Sequence, residues 1–360
     1  MNELEIRIEE IHIRRRALRT VMNANHDHLI HRFPPEIASH IFIQYSPPSD
    51  CFDKKDKSSP LYLGAVCHKW RQLAWATPQL WSSLSVQFQH NREYPSQCIA
   101  AWLERSASLP LTIKFHANPR GDESNGHHEV INILNQHSAR WHDMYFDLPS
   151  HDLRRLCGSS QGNILRRLVL RHPFSPFTRE FSTFSMKSKP SPTDLTLRSV
   201  DLPYVDIVWN NLTVASICRT RADECVELIR RAPLLETLTL REVDSSSSIF
   251  PFPNTRIVRP HLRSLETSLL REEIVVAEIL DSVCLPSLEQ WVHDQSLCPM
   301  HNMVSFMGCL SSGLKIFKFS LDMVDCHQVI GLLCNLPSLE SLELRITREP
   351  HPTEELLRLL

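Results

Sequence analysis

The chain has 360 residues, with 39 lysines and arginines against 41 aspartates and glutamates, and 8 glycines. That length suits a small domain followed by a repeat array. The balanced charge points to neither a nucleic acid nor a membrane partner, and the scarce glycines, with no G-x-G-x-x-G or P-loop spacing, exclude a phosphate-cradling loop.

Eleven cysteines occur without a C-x-x-C pair, and the charged start Met1-Asn2-Glu3-Leu4-Glu5 has no apolar signal core behind it. The expectation is reduced thiols in the cytoplasm, the nucleus or both. No apolar run approaches the ~18–20 residues a membrane span requires. Residues 2–23 predict a helix with Leu4, Ile8, Ile11, Leu18 and Val21 among charged neighbours. A heptad seam through 4, 8, 11, 15 and 18 has to accept Arg15. The pattern therefore favours a helix packed on its own domain, or partly exposed, over a short coiled-coil dimerisation arm.

Phe33-Pro34-Pro35-Glu36-Ile37 opens the next helix, because proline fixes φ where backbone donors lack helical partners anyway. Ile37, Ile41 and Tyr45 share one face, with Phe42 beside them, and Ser46-Pro47-Pro48 ends the run. Ser49 to Ser59 reads as a loop insertion. Ser59-Pro60 restarts helix, and Leu63, Val66, Cys67, Trp70, Leu73 and Ala74 recur at helical spacing until Thr77-Pro78. So small a helical unit has too little interior to bury all these side chains, which predicts that something covers it.

This string resembles the F-box motif, an opening L-P-x-E-I/L, then I/L-F/L, and later V-C-R/K-x-W-R-x-L-A/S. The chain supplies Phe33-Pro34-Pro35-Glu36-Ile37, Ile41-Phe42 and Val66-Cys67-His68-Lys69-Trp70-Arg71-Gln72-Leu73-Ala74. Thr77-Pro78-Gln79-Leu80-Trp81-Ser82-Ser83-Leu84 is similar to the segment after the motif in F-box-like proteins of mushroom-type fungi, which also tend to carry an N-terminal helix and degenerate leucine-rich repeats. Phe33 replaces the usual leucine, and the insertion 47–59 lengthens the loop between helices. The resemblance implies a substrate receptor of a Skp–cullin–F-box ubiquitin ligase. It would dock on the Skp-type adaptor, and through it on a cullin, by Pro34, Pro35, Glu36, Ile37, Ile41, Phe42, Leu63, Val66 and Trp70. The alternative is a leucine-rich-repeat scaffold outside any ligase, whose box-like helices only cap the array.

Residues 83–160 alternate short strands and helices. Leu84–Phe88, Leu111–Phe115 and Met144–Phe146 are strand-like, Cys98–Ser106 and Val130–Leu134 helical, and Asn118 to Gly126 reads as a flexible loop. Pro233-Leu234-Leu235-Glu236-Thr237-Leu238-Thr239-Leu240 then returns, starting at Pro260, Pro286 and Pro337, with Gly313-Leu314-Lys315-Ile316-Phe317-Lys318-Phe319 between the last two. First apolar positions fall at 165, 192 (a proline), 212, 235, 262, 288, 314 and 339. An L-x-x-L-x-L phrase at this period predicts a stacked solenoid with a strand and a helix per repeat. The helices are expected at Ala222–Arg231, Arg271–Val283, Met300–Leu310 and Val324–Cys334, and Asp244 to Pro253 breaks the rule with serines and prolines.

The fold class expected is thus α/β. Residues 1–30 form an N-terminal helix, 31–82 an F-box-like helical domain, 83–160 irregular first repeats and 161–360 a leucine-rich-repeat-like array. Residues between the inward leucines face outward on the strands, and Thr239, Arg241, Glu266, Gln290, Lys318, Glu343 and Arg345 form the candidate target-binding stripe. Thr353 to Leu360 reads as a helix start without a polar cap, so the array either continues or is covered there. Nineteen histidines occur, but His26-Asp27-His28, His127-His128 and Cys326-His327 lack zinc spacing. No nucleophile signature is present. The expectation is a recognition subunit, without active site, metal or cofactor, that binds an unidentified target protein.

Overall fold

The computed structural model describes residues 3–26, 32–46, 59–88, 96–117, 125–158, 160–173, 183–246, 249–294, 299–310, 313–321, 332–333 and 336–346. The insertion 47–58, the helix candidate 324–334 apart from residues 332–333, and the terminal segment 353–360 lie outside the described residues. The protein is mixed α/β, and it divides into two compact units, Met1–Val86 with Tyr94–Lys114, and Gln87–Glu93 with Phe115–Leu360.

The first unit is mainly helical. Helix α1 spans Glu3–His26, α2 Pro35–Tyr45, α3 Pro60–Val66 and α4 His68–Trp75, followed by a 3-10 turn at Pro78–Trp81, strand β1 at Ser83–Phe88 and α5 at Ser96–Arg105. Proline stands in the first turn of α2 and of α3, where its missing N–H costs nothing. Cys67 is extended (φ −157°, ψ 175°), which breaks the line between α3 and α4. Thr77 closes α4, its hydroxyl donating to Leu73 O at 2.7 Å and meeting Ser39 Oγ on α2 at 3.2 Å. The helices converge on a cluster of Phe42, Leu63, Ala74, Leu80 and Trp81, with Ile43, Trp70, Leu73 and Trp102 packed on it. Phe42 and Trp70 lie 4.7 Å apart, and Trp81 meets Trp102 edge-on at 4.8 Å. The Trp81 indole N–H donates to Ala74 O at 2.8 Å, so this buried ring of the helical cluster carries no orphaned donor.

Strand β2 (Leu111–Ala117) and helix α6 (Asn125–Gln136) lead into the second unit. Asn125 and Gly126, expected in a loop, thus begin a helix. Strand β3 (Trp141–Asp147), helix α7 (Ser150–Leu153) and β4 (Arg167–Arg171) follow, then β5 (Phe184–Ser185), β6 (Asp194–Arg198), β7 (Val205–Asp206), β8 (Val214–Arg221) and helix α8 (Ala222–Arg231). The described elements end with β9 (Thr237–Asp244), β10 (Ile257–Val258), β11 (Ser264–Ser268), helix α9 (Glu273–Ser282), β12 (Val283–Cys284), β13 (Gln290–Asp294), helix α10 (Met300–Met307), β14 (Ile316–Leu321) and β15 (Ser341–Ile346). One large sheet takes β3, β4, β6, β8, β9, β11, β13, β14 and β15 in chain order, each paired parallel to the next.

The leucine phrase explains this register. Met144, Leu168, Leu195, Ala215, Leu238, Leu265, Trp291 and Phe317 fall in one row across the strands, and all are buried. Before each strand the same backbone bond recurs: Glu236 N to Thr213 O, Arg263 N to Glu236 O, Glu289 N to Arg263 O, Lys315 N to Glu289 O and Glu340 N to Lys315 O, at 2.8–2.9 Å. A second device recurs in four strands, ending β6 and β11 and lying inside β8 and β9, which pair again at Thr220 with Val243 and Arg221 with Asp244. Ser199, Arg219, Glu242 and Leu269 have φ between +51° and +62°, each one residue past the row Arg198, Cys218, Arg241 and Ser268. A side chain in this left-handed region costs roughly 1–2 kcal/mol, so each turn is held by the packing around it.

Among the described residues helices are fewer than one per strand. Helix α8 matches its expected span, α9 and α10 are shorter than expected, and among the described residues no α-helix joins β4 to β6, β6 to β8 or β9 to β11. There the crossing segments form two-residue parallel pairs, β5 with β7 and β10 with β12. Helix α8 fastens the irregular connection: its buried Asp223 accepts from Ile249 N and Phe250 N at 3.0 and 3.1 Å, and Glu224 accepts from Leu202 N and from the Thr220 hydroxyl, both at 2.9 Å. Burial pushes the Glu224 carboxyl above its ordinary value.

Candidate functional site

In the helical unit the box-like residues separate into two sets. Ala38 and Phe42, one turn apart on α2, point inward, and Phe42 is 1% exposed. Leu63 is likewise buried and Trp70 half-buried, both in the cluster. Phe42 and Leu63 are therefore interior supports: the expectation that they contact an adaptor is corrected by their burial against Ala74, Leu80 and Trp81. Pro34, Pro35 and Glu36 are exposed at the start of α2. Ile37, Ile41 and Tyr45 recur every four residues on the face next to that of Ala38 and Phe42, about 100° around the helix, 48%, 37% and 52% exposed, and Val66 at the end of α3 is 50% exposed. Leu61 and Tyr62 on α3 are exposed as well and were missed as site residues. The signal was available, since Tyr62 and Val66 are one helical turn apart. Trp75 is different: Arg105 and Arg71 stand over its ring at 4.8 and 5.7 Å, so its exposed face is already taken by cations.

In the sheet unit, Thr239, Glu266, Val292, Lys318 and Glu343 lie side by side in one row, and Arg241, Ser268, Asp294, Ser320 and Arg345 in another. A shallow groove of about 260 Å³ crosses β11, β13, β14 and β15. Glu266, Gln290, Lys318, Glu343 and Arg345 line it together with Val292 and Asp294, while Thr239 and Arg241 stand on the adjoining strand β9. Opposite charges pair across strands, Arg241 with Glu266 at 2.7 Å, Lys318 with Glu343 at 2.8 Å and Arg345 with Asp294 at 3.6 Å, and Arg345 also pairs with Glu343 along β15 at 3.0 Å. Lys318, then Arg345, hold the Glu343 carboxyl below its ordinary value. Such a floor offers hydrogen bonds and no net charge of one sign, which suits a polar stretch of another chain better than a strongly charged ligand.

Beneath the groove the leucine row is interrupted. Thr267 and His293 take leucine positions in neighbouring strands, both buried, with the hydroxyl 2.8 Å from His293 Nδ1. The phrase Leu288-Glu289-Gln290-Trp291-Val292-His293 carries this exception openly in sequence, and the histidine went unmarked as a groove residue. Burial raises the thiols of Cys218, Cys225 and Cys284, with Glu242 adding to the effect at Cys218, so these three stay protonated and poorly nucleophilic. Among the described residues no group of three or more His, Cys, Asp or Glu side chains is arranged to hold a metal ion, and no helix is long and apolar enough to cross a membrane.

Set against known proteins, the chain matches no protein-family model and no curated protein sequence.

Proposed function

We propose that this chain is the substrate-receptor subunit of a Skp–cullin–F-box ubiquitin ligase, working in the cytoplasm, the nucleus or both. Its box-like helices dock on the Skp-type adaptor, and the sheet face holds a target protein. We read the parallel strands, entered every 20–27 residues, as a degenerate leucine-rich-repeat solenoid. The reading needs no catalytic residue here. Tethering a target near a ubiquitin-loaded partner raises the effective concentration of its lysines.

One observation carries the proposal. The box-like helices keep a complete core around Phe42 and Trp81 and still turn Ile37, Ile41, Tyr45, Leu61, Tyr62 and Val66 outward. Helices serving only as a cap would direct such side chains against their own chain, whereas an apolar centre with Pro35 and Glu36 at its rim suits a subunit interface. Co-expression with a Skp-type adaptor tests it: a 1:1 complex is expected on gel filtration, and Ile41→Lys should disperse it while the variant keeps its helical circular dichroism. An Ile41→Lys chain that co-elutes as well as the parent rejects the assignment.

A further inference from the structure

Helix α1 is 24 residues long, about 36 Å at 1.5 Å per residue. Every side chain described in it, Glu3 to Met22, is exposed, including Leu4, Ile6, Ile8, Ile11, Ile13, Leu18, Val21 and Met22. Of the two expectations for it, packed on its own domain or partly exposed, its described residues fit the second. Exposed isoleucines are mediocre helix formers, and helices of ordinary composition hold together mainly through an apolar face packed on something else. Leu4, Ile8, Ile11, Arg15, Leu18 and Met22 succeed one another at alternating steps of four and three, the spacing of a two-helix seam.

The charges indicate the occupant of this seam. The first half, Glu3 to Glu10, holds Glu3, Glu5, Glu9 and Glu10 against Arg7, a net of −3, and the second half holds Arg14, Arg15, Arg16 and Arg19, a net of +4. The helix dipole accounts for charges in the first and last turns only, and Glu9, Glu10 and Arg14 lie well inside. The internal Arg16–Glu9 pair is largely exposed at 3.7 Å and absorbs little of this asymmetry. We infer that α1 pairs antiparallel with the α1 of a second copy of this chain. A two-fold axis near Ile13 sets position 4 opposite 22, 8 opposite 18 and 11 opposite 15, and brings each acidic half alongside a basic half. Glu5 then flanks Arg19 of the second copy, twice by symmetry. Arg15 meets Ile11 of the other chain, where its aliphatic stem can lie along the seam with its head in water. A parallel pair would stack Arg15 on Arg15 and align like charges throughout.

The inference is independent of the adaptor reading, because the measurement uses the full chain alone. Sedimentation velocity should show a dimer whose dissociation constant rises on the order of tenfold between about 50 mM and about 500 mM salt, as screening removes the cross-helix attraction. Reversing the basic half (Arg14→Glu, Arg15→Glu, Arg16→Glu, Arg19→Glu) should give a monomer. Mixing it with the chain carrying Glu3→Arg, Glu5→Arg, Glu9→Arg and Glu10→Arg should restore a 1:1 dimer. A monomeric parent overturns the inference, and so does a dimer that tightens with salt, as a parallel pair would. A dimer indifferent to the reversal places the interface elsewhere and has the same consequence. The salt series on the unsubstituted chain decides the matter even if a variant folds poorly.

Discussion

Replacing Thr267 by valine tests how the interrupted leucine row is stabilised. Thr267 is 4% exposed and His293 fully buried, and their contact at 2.8 Å is the polar link between β11 and β13 in a row otherwise filled by residues such as Leu240 and Phe319. Valine keeps the shape and removes the hydroxyl, so the loss is one buried hydrogen bond together with the desolvation that it offset, about 1–3 kcal/mol. His293→Leu alone leaves the hydroxyl only the longer contact to Val292 O at 3.4 Å. Both changes together make the row apolar from Leu240 through to Phe319, and should cost less than the sum of the single changes by about 1–2 kcal/mol. Urea unfolding of the four proteins, followed by tryptophan fluorescence, measures the cycle. Additive losses would show that the two side chains do not support each other, and the account of the buried pair would be wrong.

Other outcomes rest on the same physics. Phe42→Ala should cost about 3–5 kcal/mol in the helical unit, through the cavity left beside Trp70 and Trp81, and lower the first transition in a thermal scan. His116, whose Nδ1 lies 3.0 Å from Asp147, is raised above its ordinary 6.5 by that hydrogen bond, partly opposed by burial. Its stabilising share is complete below pH 6.5 and lost as pH climbs through the raised value. Asp147→Asn should bring the ring's NMR titration back down and flatten stability over that window. Leu269→Gly, at φ +56° and 62% exposed, should raise stability by up to about 1 kcal/mol. Gly313→Ala should do the reverse, since φ is +79° and a new Cβ would lie 2.3 Å from Ser338 Oγ; Ser338→Gly should recover the steric part only.

The parallel sheet could be read from the sequence because each leucine phrase fixes three inward positions, and Leu235, Leu238 and Leu240 are all buried. Helix α8 was legible for a similar reason, with acidic residues in its first turn and Arg230 and Arg231 in its last. The break from Asp244 to Pro253 was legible from its serines and prolines, but the short pairs β5 with β7 and β10 with β12 were not, because two-residue strands leave no periodic trace. For the box-like helices, spacing revealed a shared face but not its direction: Ile37, Ile41 and Tyr45 turn out, Ala38 and Phe42 turn in. For α1, apolar residues on more than one side offered no single face to the domain. The candidate stripe was readable through strand alternation, yet the lateral pairing of Arg241 with Glu266 and of Lys318 with Glu343 depends on register, which no single strand contains.

The proposed receptor role meets its most direct measurement in a calorimetric titration of the full chain with a Skp-type adaptor. The account predicts one-to-one binding with a negative heat-capacity change from apolar burial. The combined Ile37→Lys, Ile41→Lys, Val66→Lys variant should bind at least ~100-fold more weakly, while its tryptophan fluorescence reports an intact Trp81 core. Equal affinity in the triple variant would contradict it.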